Sequence, residues 1–328
     1  MGLTFVDLFC GIGTIRMGME QAGHECVYSV EWDKHKRKIY SIIFGGEPEG
    51  ADIREVRAID IPRADLWCFG APCQDFSIAG KRAGLDGGRS SLVSEVFRLI
   101  RETPEEHRPK YILYENVKGM LSSNKGFDYL EILYQMGEIG YDTEREVPNS
   151  REYGLPQNRE RVFTLGHLRG RSTGKVFPID GTGNETGMDI NILAHRKGYR
   201  RNTQVYDVNG SIETLDTCQG GGRQPHILVK AVGQVSPKGS QAGKVYDTEG
   251  IFPTICAETH GYANGYIKMR ETDRIRRLIP RECWRLQGIP DEITDKVIRA
   301  KVSDTQMYRG AGDACTVNVI YEIAKKLT

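Results

Sequence analysis

The sequence has no long hydrophobic run, and this absence bears on where the protein resides. No apolar stretch among its 328 residues approaches the roughly 20 residues that a membrane span requires. The first ten residues, MGLTFVDLFC, enter a strand-like pattern and lack the anatomy of a signal peptide. With 39% hydrophobic and 27% charged residues, the composition is typical of a soluble globular protein. We therefore expect a cytoplasmic protein that does not associate with membranes.

Paired cysteines are also missing. The eight cysteines are scattered and none forms a C-x-x-C pair, which argues against a zinc site. A chain of this length does not need disulfides to hold its core. The net charge of +1 neither favours nor excludes a nucleic-acid partner, so local patterns have to decide. We expect free thiols in a reducing compartment and no bound metal.

Strand-like and helical patterns alternate over the first half of the chain. The runs LTFVDLF, ADLWCFGAP and KYILYEN predict buried strands, and KHKRKIYSIIF and SLVSEVFRLIRE predict helices. A helix after GIG, a second strand at ECVYSVEW, a helix at FDYLEILYQMGEIGY and strands at DTEREVPN and RVFTLGHL are also predicted. This alternation predicts an α/β domain with a mostly parallel sheet, in which ligands bind at the carboxyl ends of the strands.

The pattern changes near Arg171, beyond which helical periodicity is absent and glycine-rich loops separate short β-type runs. VYDVNGSIET at 205–214 and VYDTEGIFPT at 245–254 form an internal repeat, which predicts two related strand–turn–strand units. Helical character returns from Pro280, and the last apolar helix suits packing on the first domain. The predicted domains are a discontinuous catalytic and cofactor-binding domain, residues 1–170 with 300–328, and a small domain, residues 171–299.

Residues suited to a nucleoside lie at three predicted strand ends. Gly11 and Gly13 in DLFCGIG leave bare backbone at the start of a helix, where an anionic group is favoured. The motif lacks the third glycine of a dinucleotide fingerprint, which disfavours a nicotinamide dehydrogenase, and alone it also fits an ordinary turn. Glu31 is placed to bind ribose hydroxyls and Trp32 to stack on adenine, although a helix cap and a core tryptophan are the alternative. Asp52 is placed to accept from an adenine amino group.

Three further motifs carry reactive groups. A lone cysteine such as Cys73 in PCQ is more often a small core residue, but the long polar, glycine-rich segment after it suits a loop that closes over substrate. A thiol is also intrinsically nucleophilic. Glu115 in ENV ends a buried strand, where a carboxylate is costly without a role or a partner. Arg159 and Arg161 in QNRER face one side of an extended segment, with surface ion pairs as the alternative.

These motifs resemble, in order and spacing, those of the C5-cytosine DNA methyltransferases. The matching segments are VDLFCGIGTIRMGMEQAG, EWD, GAPCQDFS, ENVKGM, YGLPQNRERVF, RECWRLQGIPD and GDACTVNV. The resemblance covers nearly the whole chain and is loose only at about 171–265, where the family carries its variable target-recognition domain. The size is similar to that of bacterial and phage modification enzymes of restriction–modification systems. The resemblance implies a Rossmann-like methyltransferase domain with a mostly parallel sheet, plus a smaller, irregular, β-rich target-recognition domain (residues 171–299).

The resemblance also implies a reaction. A methyl group passes from S-adenosylmethionine, leaving S-adenosylhomocysteine, to C5 of a cytosine flipped out of a specific double-stranded DNA sequence. Carried over by motif, Cys73 bonds covalently to C6, Glu115 holds or protonates N3, and Arg161 bonds O2. The other catalytic candidates, which support the loop or a phosphate or shape the pocket, are Arg159, Pro72, Gln74 and Asn116.

The cofactor contacts are carried over in the same way. The candidates are Asp7, Phe9, Gly11, Ile12, Gly13, Glu31, Trp32, Asp52, Ile53, Ala71, Leu92, Asp313 and Thr316. The sequence departs from the family pattern at Thr14, where many members have glycine, at Ala71, where an aromatic is common, and at Asp313, where asparagine is typical. None of these departures touches the proposed nucleophile, acid or arginine, so we expect activity.

DNA contacts and partners are the least constrained by motif. The candidates for contact with double-stranded DNA are Ser77, Lys81, Arg82, Arg89, Gln219, Arg223, Gln241 and His260, since amide, guanidinium and imidazole groups bind base edges or phosphates. We expect a monomer with no obligatory protein partner. Two alternatives stay open: methylation of tRNA cytosine, as in one branch of the family, and a catalytically silent DNA-binding homologue.

Overall fold

A computed structural model describes residues 2–71, 92–155, 157–171, 173–181 and 279–327, and the backbone of six short strands between 192 and 276. Contacts divide the chain into two compact units. The first comprises Met1–Pro148, Glu160–Asp180 and Cys315–Thr328, and the second comprises Asn149–Arg159 and Gly181–Ala314. The domain boundaries expected from sequence, at 170/171 and 299/300, stay a prediction.

The first unit is built on a six-stranded sheet in the order β2-β1-β3-β4-β6-β5. The strands are β1 Thr4–Leu8, β2 Glu25–Val30, β3 Leu66–Phe69, β4 Tyr111–Val117, β5 Tyr141–Glu146 and β6 Arg161–Leu168. Strand β6 is antiparallel to both of its neighbours, β4 and β5. The pairs β1–β2, β1–β3 and β3–β4 are parallel. The prediction of an α/β domain with a mostly parallel sheet is confirmed.

The described helices are α1 Thr14–Gln21, α2 Lys34–Phe44, α3 Leu92–Glu102, α4 Phe127–Glu138, α5 Pro280–Arg285, α6 Asp291–Arg299, α7 Asp304–Asp313 and α8 Val317–Lys326. Helices α1 to α4 lie between the strands of this sheet along the chain, α8 also belongs to the first unit, and α5 to α7 belong to the second. Helix α2 begins where the Asp33 carboxylate accepts the backbone N–H groups of His35 and Lys36, and it ends at Gly45 in the left-handed conformation. Over the described residues, no helix has the length and apolar character needed to cross a membrane.

The last helix of the chain packs against the first. At Gly18 of α1, a Cβ atom would lie 2.6 Å from the Ile320 side chain of α8 and 2.9 Å from the Val317 carbonyl oxygen. The backbone N–H of Cys315 donates to the Thr14 hydroxyl at 3.1 Å. The threonine that replaces the usual glycine therefore ties the first loop to the start of α8.

The segment 176–179, which follows β6, is held on the outer strand β5 by carboxylates. Glu144 of β5 accepts the backbone N–H groups of Val176 at 2.7 Å and Phe177 at 3.2 Å, and Glu146 accepts that of Ile179 at 2.8 Å. The side chains of these three apolar residues are buried. The two glutamates thus provide this segment with the acceptors that a neighbouring strand would otherwise supply.

The second unit contains α5 to α7 and two three-stranded sheets. These consist of β7 Ile192–His195, β8 Gln204–Asp207 and β9 His226–Leu228, and of β10 Val245–Asp247, β11 Tyr266–Lys268 and β12 Ile275–Arg276. The Val-Tyr-Asp strand of each repeat pairs in parallel with a strand 21 residues further on, Val205 with His226 and Val245 with Tyr266. Each repeat therefore forms its own strand pair, with the same direction and the same offset along the chain. Helix α7 was not predicted from sequence, because its segment carries two glycines and few apolar residues.

Candidate active site

The carboxyl ends of three adjacent parallel strands form one edge of the first unit. Leu8 of β1 pairs with Phe69 of β3, and Phe69 pairs with Tyr114 of β4. The next residues along the chain are Phe9, Gly70 and Glu115, so the predicted cofactor loop and the predicted acid lie at the same edge.

Glu115 and Arg161 form an ion pair beside the end of β3. Arg161 Nε lies 3.2 Å from Glu115 Oε1, and both side chains are largely buried, at 13% and 16% exposed. They come from adjacent antiparallel strands, since β4 pairs with β6 along its whole length. A Cβ atom at Gly70 would lie 3.1 Å from Glu115 Oε2, so the carboxylate lies directly against the backbone at the end of β3. Lys118 and Glu160 form a second, more exposed pair at 2.7 Å.

Asn116 connects the end of β4 to the end of β3. It is buried, and its Nδ2 donates to the Ala71 carbonyl at 3.3 Å and to the Tyr114 hydroxyl at 2.7 Å. Its Oδ1 accepts the backbone N–H of Val117 at 2.8 Å. Both bonds from Nδ2 and one acceptor position of Oδ1 are therefore used within the fold, and the amide holds the last described residue before position 72.

The loop after β1 has an unusual backbone. Phe9, Gly11 and Gly13 all have positive φ angles, of 64°, 59° and 87°. Positive φ is uncommon for phenylalanine, and such strain clusters at functional sites. At Gly13 a Cβ atom would lie 2.2 Å from the Phe44 ring, whereas at Gly11 it would meet nothing within 4 Å. The Gly11 position thus faces open space, and the Gly13 position packs on α2.

Glu31 ties this loop to the end of β2. Its Oε2 accepts the backbone N–H of Gly11 at 2.8 Å, and its Oε1 accepts that of Asp33 at 2.8 Å. A carboxylate has about four acceptor positions, so these two bonds leave capacity for two further donors. The arrangement suits the ribose-binding role expected for this residue.

Asp7 of β1 is a buried acid whose carboxyl group is poorly satisfied, with Arg16 as its opposing charge. Neither of its carboxyl oxygens makes a hydrogen bond among the described residues, and the side chain is fully buried. Burial raises its pKa from 3.8 to about 8, against the opposing influence of the Arg16 charge and with a smaller contribution from Glu31. An acid in this state has unmet hydrogen-bonding capacity next to the candidate cofactor loop.

Arg37 is a residue of this site that sequence reasoning missed. One of its terminal nitrogens donates to the carbonyls of Glu31, at 3.2 Å, and Gly50, at 2.7 Å. The other donates to the Pro48 carbonyl and to the Glu47 carboxylate, both at 3.0 Å. A guanidinium fork therefore joins the Glu31 backbone to the segment that leads to Asp52. A lone arginine in a lysine-rich helix gave no signal of this role in the sequence.

The residues expected around adenine belong to the first unit. Trp32 is 68% exposed, and Ile53 and Ala71 are buried. The Asp52 carboxylate is held by Arg54, whose side-chain hydrogen bonds lower its pKa. Leu92 begins α3 and packs, partly buried, against the core. The structure therefore brings an exposed aromatic ring and a charged acceptor to this part of the first unit.

Arg159 is buried within the second unit. Its Nη2 donates to the carbonyls of Gly312 at 2.9 Å and Ala314 at 2.8 Å, on either side of Asp313, and its backbone N–H donates to Asn149 Oδ1. This is the geometry of a residue that supports a loop. Asp313 ends α7, and Thr316 precedes α8 in the first unit.

Three thiols of the first unit are protonated, of which Cys10 and Cys68 are buried and Cys26 is half-buried. Burial raises the pKa of Cys10 and of Cys68 well above its usual range, and that of Cys26 to about 12. The thiolate is the nucleophilic form of cysteine, so none of these three is suited to attack. In the part of the chain that the structure describes, no cluster of three or more His, Cys, Asp or Glu side chains is placed to hold a metal ion.

The remaining predicted site residues lie outside the described residues. They are Pro72, Cys73 and Gln74 of the catalytic set, and all the DNA-contact candidates: Ser77, Lys81, Arg82, Arg89, Gln219, Arg223, Gln241 and His260. Their roles stay predictions.

Comparison with known proteins gives one consistent result. The family model for C-5 cytosine-specific DNA methylases matches residues 3–328. The type II methyltransferase M.HhaI of Haemophilus parahaemolyticus is 33% identical over 339 aligned residues, which cover 98% of this chain and 93% of that protein. M.HpaII of Haemophilus parainfluenzae is 31% identical over 334 aligned residues, covering 99% and 88%.

Solved structures agree at the level of the fold. The crystal structure of the S. pombe Dnmt2 methyltransferase gives a TM-score of 0.68 at 19% identity, covering 98% of this chain and 97% of that one. A putative DNA modification methyltransferase from an E. coli prophage gives 0.61 at 20% identity, covering 99% and 98%.

Proposed function

The chain belongs to the C-5 cytosine-specific DNA methylases and is a DNA cytosine-5 methyltransferase, and on this basis we propose the following reaction. A methyl group passes from S-adenosylmethionine to C5 of a cytosine flipped out of a specific double-stranded DNA sequence. The transfer runs through a covalent bond between Cys73 and C6 of the base. The protein acts on DNA as a monomer.

The observation that carries this proposal is the Glu115–Arg161 pair at the end of β3. An acid and a guanidinium lie 3.2 Å apart, beside the backbone of Gly70. Cys73 follows Ala71 by two residues, and two residues span at most about 7 Å. Asn116 donates to the Ala71 carbonyl, and the short connection from Ala71 to Cys73 supports the proposal that the thiol acts beside Glu115 and Arg161.

The chemistry follows from what each group offers. The Cys73 thiolate adds to C6, which breaks the aromaticity of the ring and makes C5 an enamine carbon. Glu115 holds or protonates N3 and Arg161 bonds O2, so electron density is drawn away from C6 as the carbon–sulfur bond forms. After C5 has taken the methyl group, loss of the C5 proton expels the thiolate and restores the ring. Pro72, Gln74 and Asn116 shape the pocket around the base.

The residues of the first unit fit S-adenosylmethionine, which supplies an electrophilic methyl group when bound. Asp7 is a buried acid whose carboxyl oxygens have unmet hydrogen-bonding capacity, and it is suited to the methionine ammonium group, as is Thr316. For Asp313, of the second unit, the same role is carried over from the family motif alone. Glu31 has two free acceptor positions for ribose hydroxyls. The exposed Trp32 ring offers a stacking face for adenine. The other residues that would line the cofactor are Phe9, Gly11, Ile12, Gly13, Asp52, Ile53, Ala71 and Leu92.

DNA binding must offset the cost of extruding the target base, which is a few kcal/mol. We assign phosphate and base contacts to the polar loop after Cys73 and to the loops that follow the two repeats. The residues are Ser77, Lys81, Arg82, Arg89, Gln219, Arg223, Gln241 and His260. Arg159, which donates to two backbone carbonyls, supports its loop in this scheme and does not bind phosphate.

The test uses Cys73→Ser, with Cys26→Ser as the matched control at a half-buried thiol on β2. Methyl transfer from labelled cofactor is measured on duplex DNA and on tRNA, and covalent trapping on duplex DNA that contains 5-fluorocytosine. We expect transfer to DNA only, and trapping by the wild type and by Cys26→Ser. Cys73→Ser should bind DNA without turnover or trapping. Transfer to tRNA alone, no trapping by the wild type, or full activity of Cys73→Ser would each overturn the proposal.

A further inference from the structure

Arg54 links the two residues that would receive the adenine ring. Its Nε lies 2.9 Å from Asp52 Oδ1 and 3.1 Å from Oδ2, and its Nη2 lies 2.5 Å from Oδ2. Its backbone N–H also donates to Asp52 Oδ1, at 3.0 Å. The guanidinium carbon lies 5.2 Å from the centre of the Trp32 ring, within the range of a cation–π contact.

Stability does not account for this arrangement. The Arg54 side chain is 54% exposed and that of Asp52 is 14% exposed, and an ion pair at the surface contributes little to folding because water and salt screen it. Trp32 is itself 68% exposed, so the contact buries little apolar surface. A nearby pair provides a comparison. Arg57 makes the same two-pronged contact with Asp60, and the Arg57 side chain is also exposed.

We propose that Arg54 is a positioning residue that makes the site selective for the 6-amino group of adenine, an inference that rests on the proposed use of S-adenosylmethionine. Arg54 contributes three N–H groups to a carboxylate with about four acceptor positions. The Nε–H is shared between the two oxygens, so these three hydrogens leave room for one further donor at Oδ2, which does not take the backbone N–H. The direction of that position is fixed because the fork holds both oxygens.

The same contacts keep the acceptor charged. Hydrogen bonds from Arg54 lower the pKa of Asp52, so the carboxylate stays ionised into the acidic range in which an ordinary aspartate takes up a proton. The guanidinium over Trp32 also restrains the ring on which adenine would stack. Preorganisation of this kind improves binding because less freedom is lost when the ligand arrives.

The experiment measures binding by calorimetry, with two ligands. One is S-adenosylhomocysteine, and the other is its analogue with unsubstituted purine as the base, which lacks the 6-amino group. The variants are Arg54→Ala, Arg54→Lys and the control Arg57→Ala. We expect the wild type to prefer S-adenosylhomocysteine. Arg54→Ala should reduce that preference by about fivefold to tenfold, through weaker binding of the amino-bearing ligand, with an unchanged melting temperature.

The Arg54→Lys variant shows whether the positive charge alone is sufficient or whether the two-pronged geometry is required. An ammonium group is a point charge and cannot hold both oxygens as a fork does, so Arg54→Lys should lose most of the preference as well. Arg57→Ala should keep it. An Arg54→Ala variant with the wild-type preference, or one that binds S-adenosylhomocysteine more tightly, would overturn the inference. Absence of binding of either ligand to the wild type would instead overturn the proposed cofactor use.

Discussion

Replacing Asp7 by asparagine tests whether the buried acid on β1 lowers the free energy of unfolding at neutral pH. The native pKa is about 8, whereas the ordinary value is 3.8. Between these values the unfolded chain releases the proton and the native chain keeps it. The free energy of unfolding is therefore highest below pH 4, where both states keep the proton, and it falls as the pH rises toward 8.

The size of the effect follows from that difference. Each pH unit between the two values costs about 1.4 kcal/mol of the free energy of unfolding, so at pH 7 the burden is of the order of 4 kcal/mol. Asparagine has nearly the same shape and no ionisation. We expect Asp7→Asn to match the wild type near pH 4 and to become progressively more stable than the wild type up to pH 8. For a unit of this size, each kcal/mol shifts the melting temperature by about 2–4 °C.

The assay is thermal and denaturant unfolding at pH 5, 6, 7 and 8, without ligand. Asp65→Asn is the control, because Asp65 is a carboxylate that accepts hydrogen bonds from the backbone N–H and the hydroxyl of Thr4. That variant should gain no stability at any pH. In contrast to its stability, Asp7→Asn should bind S-adenosylhomocysteine more weakly, since the proposed acceptor of the ammonium group is gone. A stability difference that does not change between pH 5 and pH 8 would refute the reasoning.

Three further predictions concern packing and positioning. Gly18→Ala should lower the melting temperature by several degrees, because the new Cβ atom meets Ile320 at 2.6 Å and overpacking typically costs about 1–3 kcal/mol; an unchanged melting temperature would contradict this. Arg37→Lys should weaken S-adenosylhomocysteine binding by about threefold to tenfold in calorimetry, because an ammonium group cannot bridge the carbonyls that the guanidinium joins; wild-type affinity would show that the fork does not position Glu31. Glu144→Gln should speed hydrogen exchange at the backbone amides of residues 176 and 177, with exchange in β1 to β4 unchanged, because a charged acceptor is replaced by a weaker one; unchanged protection would mean that the carboxylate does not hold the segment.

Local pattern was sufficient for most of the fold of the first unit. Buried parallel strands are short apolar runs, and the helices between them carry apolar residues at helical spacing, so both types can be recognised without knowledge of their partners. The internal repeat was also visible in sequence, and both copies pair their strands with the same offset. Helix α7 was missed because Gly310 and Gly312 weaken its helix signal, whereas buried Met307 and Ala311 anchor it in the fold.

By itself, the sequence determined the order of the elements, the family resemblance and the residue types at the strand ends, because these depend on neighbours along the chain. Only the tertiary structure decided which of those residues meet. Glu115 and Arg161 are far apart in sequence and pair because β6 runs antiparallel beside β4. Arg37 and Arg54 showed no signal in the sequence, since their roles depend on which carbonyls, carboxylate and ring the folded chain brings to them. The burden on Asp7 has the same origin, because the pKa of an acid is set by how much water and how many partners the surrounding fold leaves to it.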